Sequence, residues 1–280
     1  MTAEYALLRA RMVDGQLRTT GITDARLLHA MGFVPREAFL PAVRRPLAYL
    51  DQDIDIPTRS GRARYLMEPA PFAKLVQLAG IRGTDRVLDV GCGSGYSAAV
   101  LSRLAASVTA LECEPDLTES ARSTLEKIGF GNVTIVEAAL EGGYPQNAPY
   151  DVILVGGAVD EVPEALFGQL AEAGRLVAVT GEGNAGIARI CVKDGGVVSC
   201  RRAFNAAIRP LPGFRRAPVF EFGSARGVGA SVEAVSSSRA ETDGACGRRV
   251  MNGPRCRPSI ESAAGASRPD GCEVGRVARS

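Results

Sequence analysis

The sequence has little of what zinc sites and disulfide frameworks are built from. It contains a single histidine, His29, and its seven cysteines include no Cys-x-x-Cys pair. An odd, scattered set of cysteines argues against both a zinc site and a disulfide framework. We therefore expect no metal site and a protein that works in the reducing cytoplasm.

Long apolar runs and strong charge are missing as well. No stretch approaches membrane-spanning length, and Met1 to Leu17 alternates Arg and Asp with apolar residues, unlike a secretion signal. The net charge is only +2, and no basic stripe with interleaved aromatic residues occurs. We therefore expect neither nucleic acid nor a membrane as a partner. What remains, at 280 residues and 46% hydrophobic content, is enough for one sizeable core.

The chain divides into three parts. Residues 1–80 predict short helices and an irregular acceptor-side loop at 51–64. Residues 81–222 alternate short apolar runs with amphipathic segments, which is typical of βαβ units in a doubly wound, mostly parallel sheet. Residues 223–280 contain no Leu, Phe, Tyr or Lys, and predict a disordered tail or an out-of-frame translation. The predicted strands are 86–90, 107–111, 132–136, 150–155, 174–180, 187–193 and 196–207, and the predicted helices of the core are 95–105, 116–128 and 162–171.

One glycine-rich turn carries the strongest functional signal. The apolar strand V-L-D-V runs into Gly91, Gly93 and Gly95 and then into a helix. Glycines let the backbone approach a ligand closely, and the first N–H groups of the helix are free to bind it. The glycine spacing is one residue shorter than the dinucleotide fingerprint. A tight turn without a ligand and a dinucleotide site remain alternatives.

Two acids near this turn favour an adenosine ligand. Asp89 lies inside the strand, where a plain core strand rarely places a charge. Glu112 ends the next strand, where a carboxylate can accept hydrogen bonds from both ribose hydroxyls. Together they point to a cofactor with an adenosine end.

The segment V-L-D-V-G-C-G-S-G-Y resembles motif I of class I methyltransferases. The wider chain, over about residues 10–220, resembles the protein-L-isoaspartate O-methyltransferase family. The matching segments are F-V-P-R-E-A-F-L-P at 33–41, A-Y at 48–49, Y-D-V-I-L-V-G-G-A at 150–158 and G-R-L-V-A-V at 174–179.

This resemblance implies an α/β fold with a doubly wound, mostly parallel seven-stranded sheet, a late antiparallel hairpin and N-terminal helices. It implies S-adenosyl-L-methionine as cofactor, with Asp89 and the three glycines at its amino-acid end and Glu112 at its ribose. The remaining cofactor-binding residues that it suggests are Cys92, Cys113, Ala139, Leu140 and Gly156, with Gly157 beside Gly156 in the methyl-transfer cleft.

Two departures from the family pattern affect the expected substrate. Met67 and Glu68 occupy the place of a family serine that orients the acceptor carboxylate, and Met67 cannot donate a hydrogen bond. Glu68 repels an anionic acceptor unless it is protonated or paired, or else binds a cationic group of another substrate. Ala138 to Leu140 replaces a family Gly-Asp-Gly near the adenine. The catalytic residue therefore stays unassigned.

Methyl transfer to a carboxylate needs no general base, because the acceptor is already ionised at neutral pH. We therefore expect carboxyl methylation of isoaspartyl groups in proteins or peptides. The alternatives are the same fold and cofactor with a small-molecule or other protein acceptor, and a non-catalytic module that binds the cofactor.

Overall fold

The computed structural model describes residues 3–181 and 183–214, which belong to the first of two units of the chain, Met1–Glu221. The predicted tail, 223–280, lies outside the described residues. Within the described ranges, no helix has the length and apolar character needed to cross a membrane.

A seven-stranded sheet forms the centre of this unit. After a small hairpin, β1 (Ile54–Ile56) and β2 (Arg64–Leu66), come β3 (Arg86–Val90), β4 (Ser107–Glu112), β5 (Val133–Glu137), β6 (Tyr150–Val159), β7 (Leu170–Thr180), β8 (Ile187–Asp194) and β9 (Val197–Asn205). The order in the large sheet is β5-β4-β3-β6-β7-β8-β9. Strands β3 to β7 are parallel, and β8 and β9 are antiparallel. This confirms the predicted fold class and its late hairpin.

Six α-helices accompany the sheet within residues 3–181 and 183–214. Asp24 caps the second of them by accepting hydrogen bonds from the backbone N–H groups of Arg26 and Leu27, at 2.8 and 3.2 Å. The fifth begins at Pro115 and has no side-chain cap. The helices are α1 (Ala3–Met12), α2 (Ala25–Phe33), α3 (Pro69–Ala79), α4 (Tyr96–Ser102), α5 (Pro115–Ile128) and α6 (Glu164–Gly168).

Helix α6 is shorter than the predicted 162–171. Leu170 pairs with Tyr150 at the start of β6, so the chain is already extended there. Sheet pairing has overridden a local helical pattern, as tertiary contacts commonly do.

Two apolar clusters pack on the two faces of the sheet. Alternate residues of one strand point to opposite faces, so Val152 and Leu154 of β6 join one cluster and Ile153 and Val155 the other. The first cluster also contains Leu27 of α2 and other residues of the N-terminal helices. Residues 1–80 therefore share a core with the parallel sheet.

The interpretation of 51–64 as an irregular loop is wrong for Ile54–Ile56 and Arg64 and is confirmed for 57–63, which lie outside the strands. Ile54 pairs with Leu66 and Ile56 with Arg64, which makes β1 and β2 an antiparallel hairpin. Both isoleucines are buried while Asp55 between them is exposed. This two-residue alternation is the sequence signal that was missed.

The expectation that the cysteines form no disulfide is also wrong for one pair. Cys191 of β8 and Cys200 of β9 are disulfide-bonded. The two residues are equidistant from the Gly195-Gly196 turn of the hairpin, and the antiparallel register places them directly opposite each other. Cys92 and Cys113 are free thiols.

A buried ion pair fastens α3 to the sheet. Arg175 of β7 donates to the carbonyl groups of Ala79 and Gly80, at the carboxyl end of α3, and to Asp85 Oδ2 at 2.6 Å. The side chains of Arg175 and Asp85 are only 14% and 7% exposed. Removing the cation would leave a buried carboxylate without its partner.

We predict that Arg175→Ala lowers the free energy of unfolding by about 3 kcal/mol, the cost typical of breaking a buried ion pair. Urea denaturation of the purified protein measures it. Arg44→Ala, which breaks a pair with Asp55 in which both side chains are over a third exposed, is the matched control and should cost less than about 1 kcal/mol. Equal losses of stability in the two variants would contradict a stabilising role of the Arg175–Asp85 ion pair.

Candidate active site

The glycine-rich turn lies at the carboxyl end of β3, at the point where the sheet order changes direction. Ligands of doubly wound sheets bind at such points. The backbone N–H groups of Gly91 and Cys92 both donate to the carbonyl of Leu111, at 2.8 and 3.1 Å, and so fix the turn to the end of β4. Gly95 has a φ of +95°, and a Cβ there would lie 2.9 Å from the Cβ of Ala121 in α5. The turn therefore requires glycine both for conformation and for packing.

Glu112 lies at the centre of the site and has no solvent exposure. Its Oε2 accepts a hydrogen bond from the backbone N–H of Gly93 at 2.7 Å, and its Oε1 accepts one from Cys113 at 2.9 Å. The guanidinium of Arg64, on β2, forms an ion pair with Oε2. The sequence predicted Glu112 but gave no indication of Arg64.

Asp89 lies beneath the same turn and is also fully buried. Ser97 of α4 donates to its Oδ2 at 2.6 Å. Its Oδ1 is buried and has no hydrogen-bond partner among the described residues. Burial in an apolar environment raises the pKa of Asp89 to about 7 against the opposing effect of the Ser97 hydrogen bond, and the nearby Glu112 raises it further. A buried acceptor without a partner is suited to a cationic ligand group.

Strand β6 approaches the turn from the other side. A Cβ at Gly156 would lie 3.1 Å from the carbonyl oxygen of Gly91, and one at Gly157 would lie 2.6 Å from Cγ of Leu211. Leu211 lies alongside β6, where its backbone N–H donates to the carbonyl of Ala158 at 2.8 Å. Position 157 therefore requires glycine, and a side chain at 156 would force the turn to shift by a few tenths of an ångström.

A narrow cleft connects the glycine turn with the segment that follows β2. Its lining includes Gly91, Cys92 and Ser97 on the cofactor side, and Met67 and Tyr96 on the other. The structure thus brings the predicted cofactor turn and the predicted acceptor-orienting position to one cavity.

Met67 is held through its backbone while its side chain lines the cleft. The fully buried Arg36 donates to the Met67 carbonyl at 2.6 Å and also lies over the Tyr96 ring. Arg36 belongs to the V-P-R-E segment that carries the family resemblance. A thioether in the cleft offers no hydrogen-bond donor to an acceptor carboxylate.

Glu68 lies among other carboxylates. Its backbone N–H donates to Asp53 Oδ1 at 2.9 Å. Partial burial raises the pKa of Glu68 to about 7, and the negative charge of Asp51 and a hydrogen bond to it contribute further. Near neutral pH a larger fraction of the Glu68 carboxyl is therefore protonated than in an ordinary glutamate.

The other predicted residues differ in their surroundings. Cys92 is buried, which raises the pKa of its thiol well above the usual range. Cys113 follows Glu112, and partial burial raises its thiol pKa to about 11. Both thiols are therefore poor nucleophiles at neutral pH. Ala139 is exposed, whereas Leu140 is 1% exposed within the second apolar cluster. Their contact with a cofactor stays a prediction.

No group of three or more His, Cys, Asp or Glu residues in the described ranges is arranged to hold a metal ion.

The family model for protein-L-isoaspartate(D-aspartate) O-methyltransferase matches residues 9–212. The chain belongs to this family. A protein-L-isoaspartate O-methyltransferase of Roseiflexus sp. (strain RS-1) is 39% identical over 210 residues, which cover 75% of this chain and 94% of that protein. The protein-L-isoaspartate O-methyltransferase 2 of Anaeromyxobacter sp. (strain Fw109-5) is 44% identical over 169 residues, 60% of this chain and 68% of that protein.

Solved structures of the family share the fold. One protein-L-isoaspartate O-methyltransferase superposes with a TM-score of 0.66 at 28% identity, covering 73% of this chain and 66% of that chain. A Plasmodium falciparum structure described as a putative member is in complex with S-adenosyl-L-homocysteine. It superposes with a TM-score of 0.61 at 22% identity, covering 72% of this chain and 97% of that chain. The second likeness bears on the fold alone.

We predict that Asp89→Asn stabilises the ligand-free protein above pH 7. The folded-state pKa of about 7 exceeds the unfolded value of 3.8, so the native protein loses stability as pH rises from 3.8 to 7. Removing the charge should raise the Tm at pH 8 by at least about 2 °C, the shift that corresponds to about 1 kcal/mol.

Differential scanning calorimetry at pH 4 and pH 8 measures this effect. The advantage of the variant should be small at pH 4, where Asp89 is protonated in the folded state and only half ionised in the unfolded chain. A variant less stable than the parent at pH 8 would show that the Asp89 charge is well solvated, contrary to its burial.

Proposed function

We propose that this protein is an S-adenosyl-L-methionine-dependent O-methyltransferase that methylates isoaspartyl carboxyl groups of damaged proteins and peptides. The observation that carries the proposal is the family match over residues 9–212. The buried carboxylates of Glu112 and Asp89, at either side of the glycine turn, support it with a cofactor site of matching chemistry.

The residues around the turn fit the two ends of this cofactor. Glu112 is a carboxylate suited to ribose hydroxyls, and Asp89 Oδ1 is a buried acceptor suited to an ammonium group. Gly91, Gly93 and Gly95 have positive φ angles, which give the turn its shape. Bound S-adenosyl-L-methionine supplies an activated methyl group. The residues of this chain contribute by holding and orienting the cofactor and the acceptor and by excluding water.

The acceptor side needs positioning more than proton transfer. A carboxylate acceptor is ionised at neutral pH and is itself the nucleophile. Holding two partners in attack geometry can contribute about 7–11 kcal/mol. Met67 and Tyr96 bound the cleft in which an acceptor reaches the glycine turn, and Glu68 penalises an anionic acceptor when it is ionised.

A second candidate keeps the fold and cofactor but uses another acceptor. Met67 in place of the family serine favours it, as do the carboxylates of Asp51, Asp53 and Glu68, which would attract a cationic acceptor. A small molecule or another protein site would then be methylated.

We also propose a cytoplasmic location, which the free thiols of Cys92 and Cys113 beside the site support. The Cys191–Cys200 disulfide would then be the exception in a reducing compartment.

Incubation with an isoaspartyl peptide and methyl-labelled cofactor tests the function. We predict labelled methyl ester that releases volatile methanol on hydrolysis. Met67→Ser should raise kcat/KM on this peptide about tenfold, because a hydrogen bond to a charged group contributes about 1.5–3 kcal/mol.

The matched peptide with normal aspartate is the control and should remain unlabelled. Labelling of a cationic acceptor instead, with no gain from Met67→Ser, would favour the second candidate. Absence of label on any acceptor, with cofactor binding intact, would indicate a non-catalytic binding module.

A further inference from the structure

Arg64 is bound to Glu112, the carboxylate proposed to bind the cofactor's ribose, and uses part of its hydrogen-bonding capacity. A carboxylate offers about four acceptor positions. Those of Glu112 receive the backbone N–H groups of Gly93, Cys113 and Glu114 and the guanidinium of Arg64. The Cys113 thiol also lies 3.5 Å from Oε1. The three N–H groups belong to the turn and to the end of β4, so Arg64 is the charged partner that a ligand can replace without unfolding the site.

The guanidinium lies inside the glycine turn. Besides Glu112, Arg64 Nη2 donates to the carbonyl of Gly91 at 3.2 Å, and the side chain is only 4% exposed. Its Nε is buried without a hydrogen-bond partner among the described residues. An unpaired buried donor is costly, so the position of the Arg64 side chain against Glu112 carries a free-energy penalty.

Three polar contacts tie down the hairpin that carries Arg64. Ser60 Oγ donates to Glu114 Oε2 at 2.5 Å, the backbone N–H of Arg59 donates to Asp116 at 3.1 Å, and Arg62 pairs with Glu114 at 3.4 Å. The side chain of Arg62 is 61% exposed, whereas that of Glu114 is only 2% exposed. The exposed Arg62 contributes little, but the buried Glu114 needs its Ser60 partner, so a shift of the connection between β1 and β2 must keep or replace that hydrogen bond.

We propose that Arg64 competes with the cofactor's ribose for Glu112 and thereby sets the affinity of the site for the cofactor. Binding exchanges the guanidinium for two neutral hydroxyl groups, and the side chain of Arg64, at the start of β2, leaves the turn. This inference rests on the proposed cofactor site. It adds a residue that opposes binding rather than one that contributes to it.

Calorimetric titration of the full chain with S-adenosyl-L-homocysteine tests the competition. Arg64→Gln should lower the Kd about tenfold, because a charge-assisted hydrogen bond no longer has to be broken. Arg62→Gln, on the same hairpin but paired with Glu114, is the control and should change the Kd less than about twofold. An unchanged or higher Kd in Arg64→Gln would overturn the inference.

A measurement on the unaltered protein keeps the test independent of how the variant folds. In ¹⁵N-arginine NMR spectra the Arg64 side chain, assigned by its absence in Arg64→Lys, should give a protected signal in the free protein. That signal should shift and lose protection on saturation with S-adenosyl-L-homocysteine. An unperturbed signal at saturation would show that Arg64 stays on Glu112, and the inference would be wrong.

The two proposals fail in different ways. If the unaltered protein binds S-adenosyl-L-homocysteine but Arg64→Gln binds no tighter, the cofactor site stands and the competition does not. If neither protein binds it, the proposed function fails and the competition fails with it.

Discussion

A carboxylate with no solvent exposure needs hydrogen-bond donors on every side, and the architecture of this site supplies them to Glu112. The N–H of Gly93 is available because the turn after β3 bends back towards β4, where Leu111 accepts the N–H groups of Gly91 and Cys92. Parallel pairing of β3 and β4 places Val90 opposite Leu111, so the turn and Glu112 lie at the same edge of the sheet. The glycine turn, the parallel sheet and the buried acid thus form one structural unit.

The proposed reaction places opposite electrostatic requirements on Asp89 and Glu68. An ionised Asp89 would attract an ammonium group, whereas a neutral Glu68 would tolerate an anionic acceptor. Burial raises both pKa values to about 7. In the proposed reaction, cofactor binding would therefore improve as pH rises through neutrality, while the acceptor side would become less favourable for a carboxylate. Neutral pH is the compromise that such a pair of groups imposes.

Sequence patterns predicted the parts of the fold that depend on local periodicity. The apolar strands 86–90 and 150–155 and the glycine turn were visible because burial on both faces and positive φ angles select characteristic residues. The β1–β2 hairpin was missed because its strands are three residues long. The Cys191–Cys200 bond was missed because it depends on the register of β8 and β9, which the spacing of cysteines alone does not specify. Arg64 reaches Glu112 only through tertiary packing, so no local pattern revealed it.

We propose that this site holds an adenosine cofactor through the buried carboxylate of Glu112. Calorimetric titration of Glu112→Gln with S-adenosyl-L-homocysteine, beside the unaltered protein, tests this role. We expect the unaltered protein to bind and the variant to have an affinity at least about tenfold weaker, since one charged acceptor is lost. Equal affinity in a variant that remains folded by circular dichroism would contradict it.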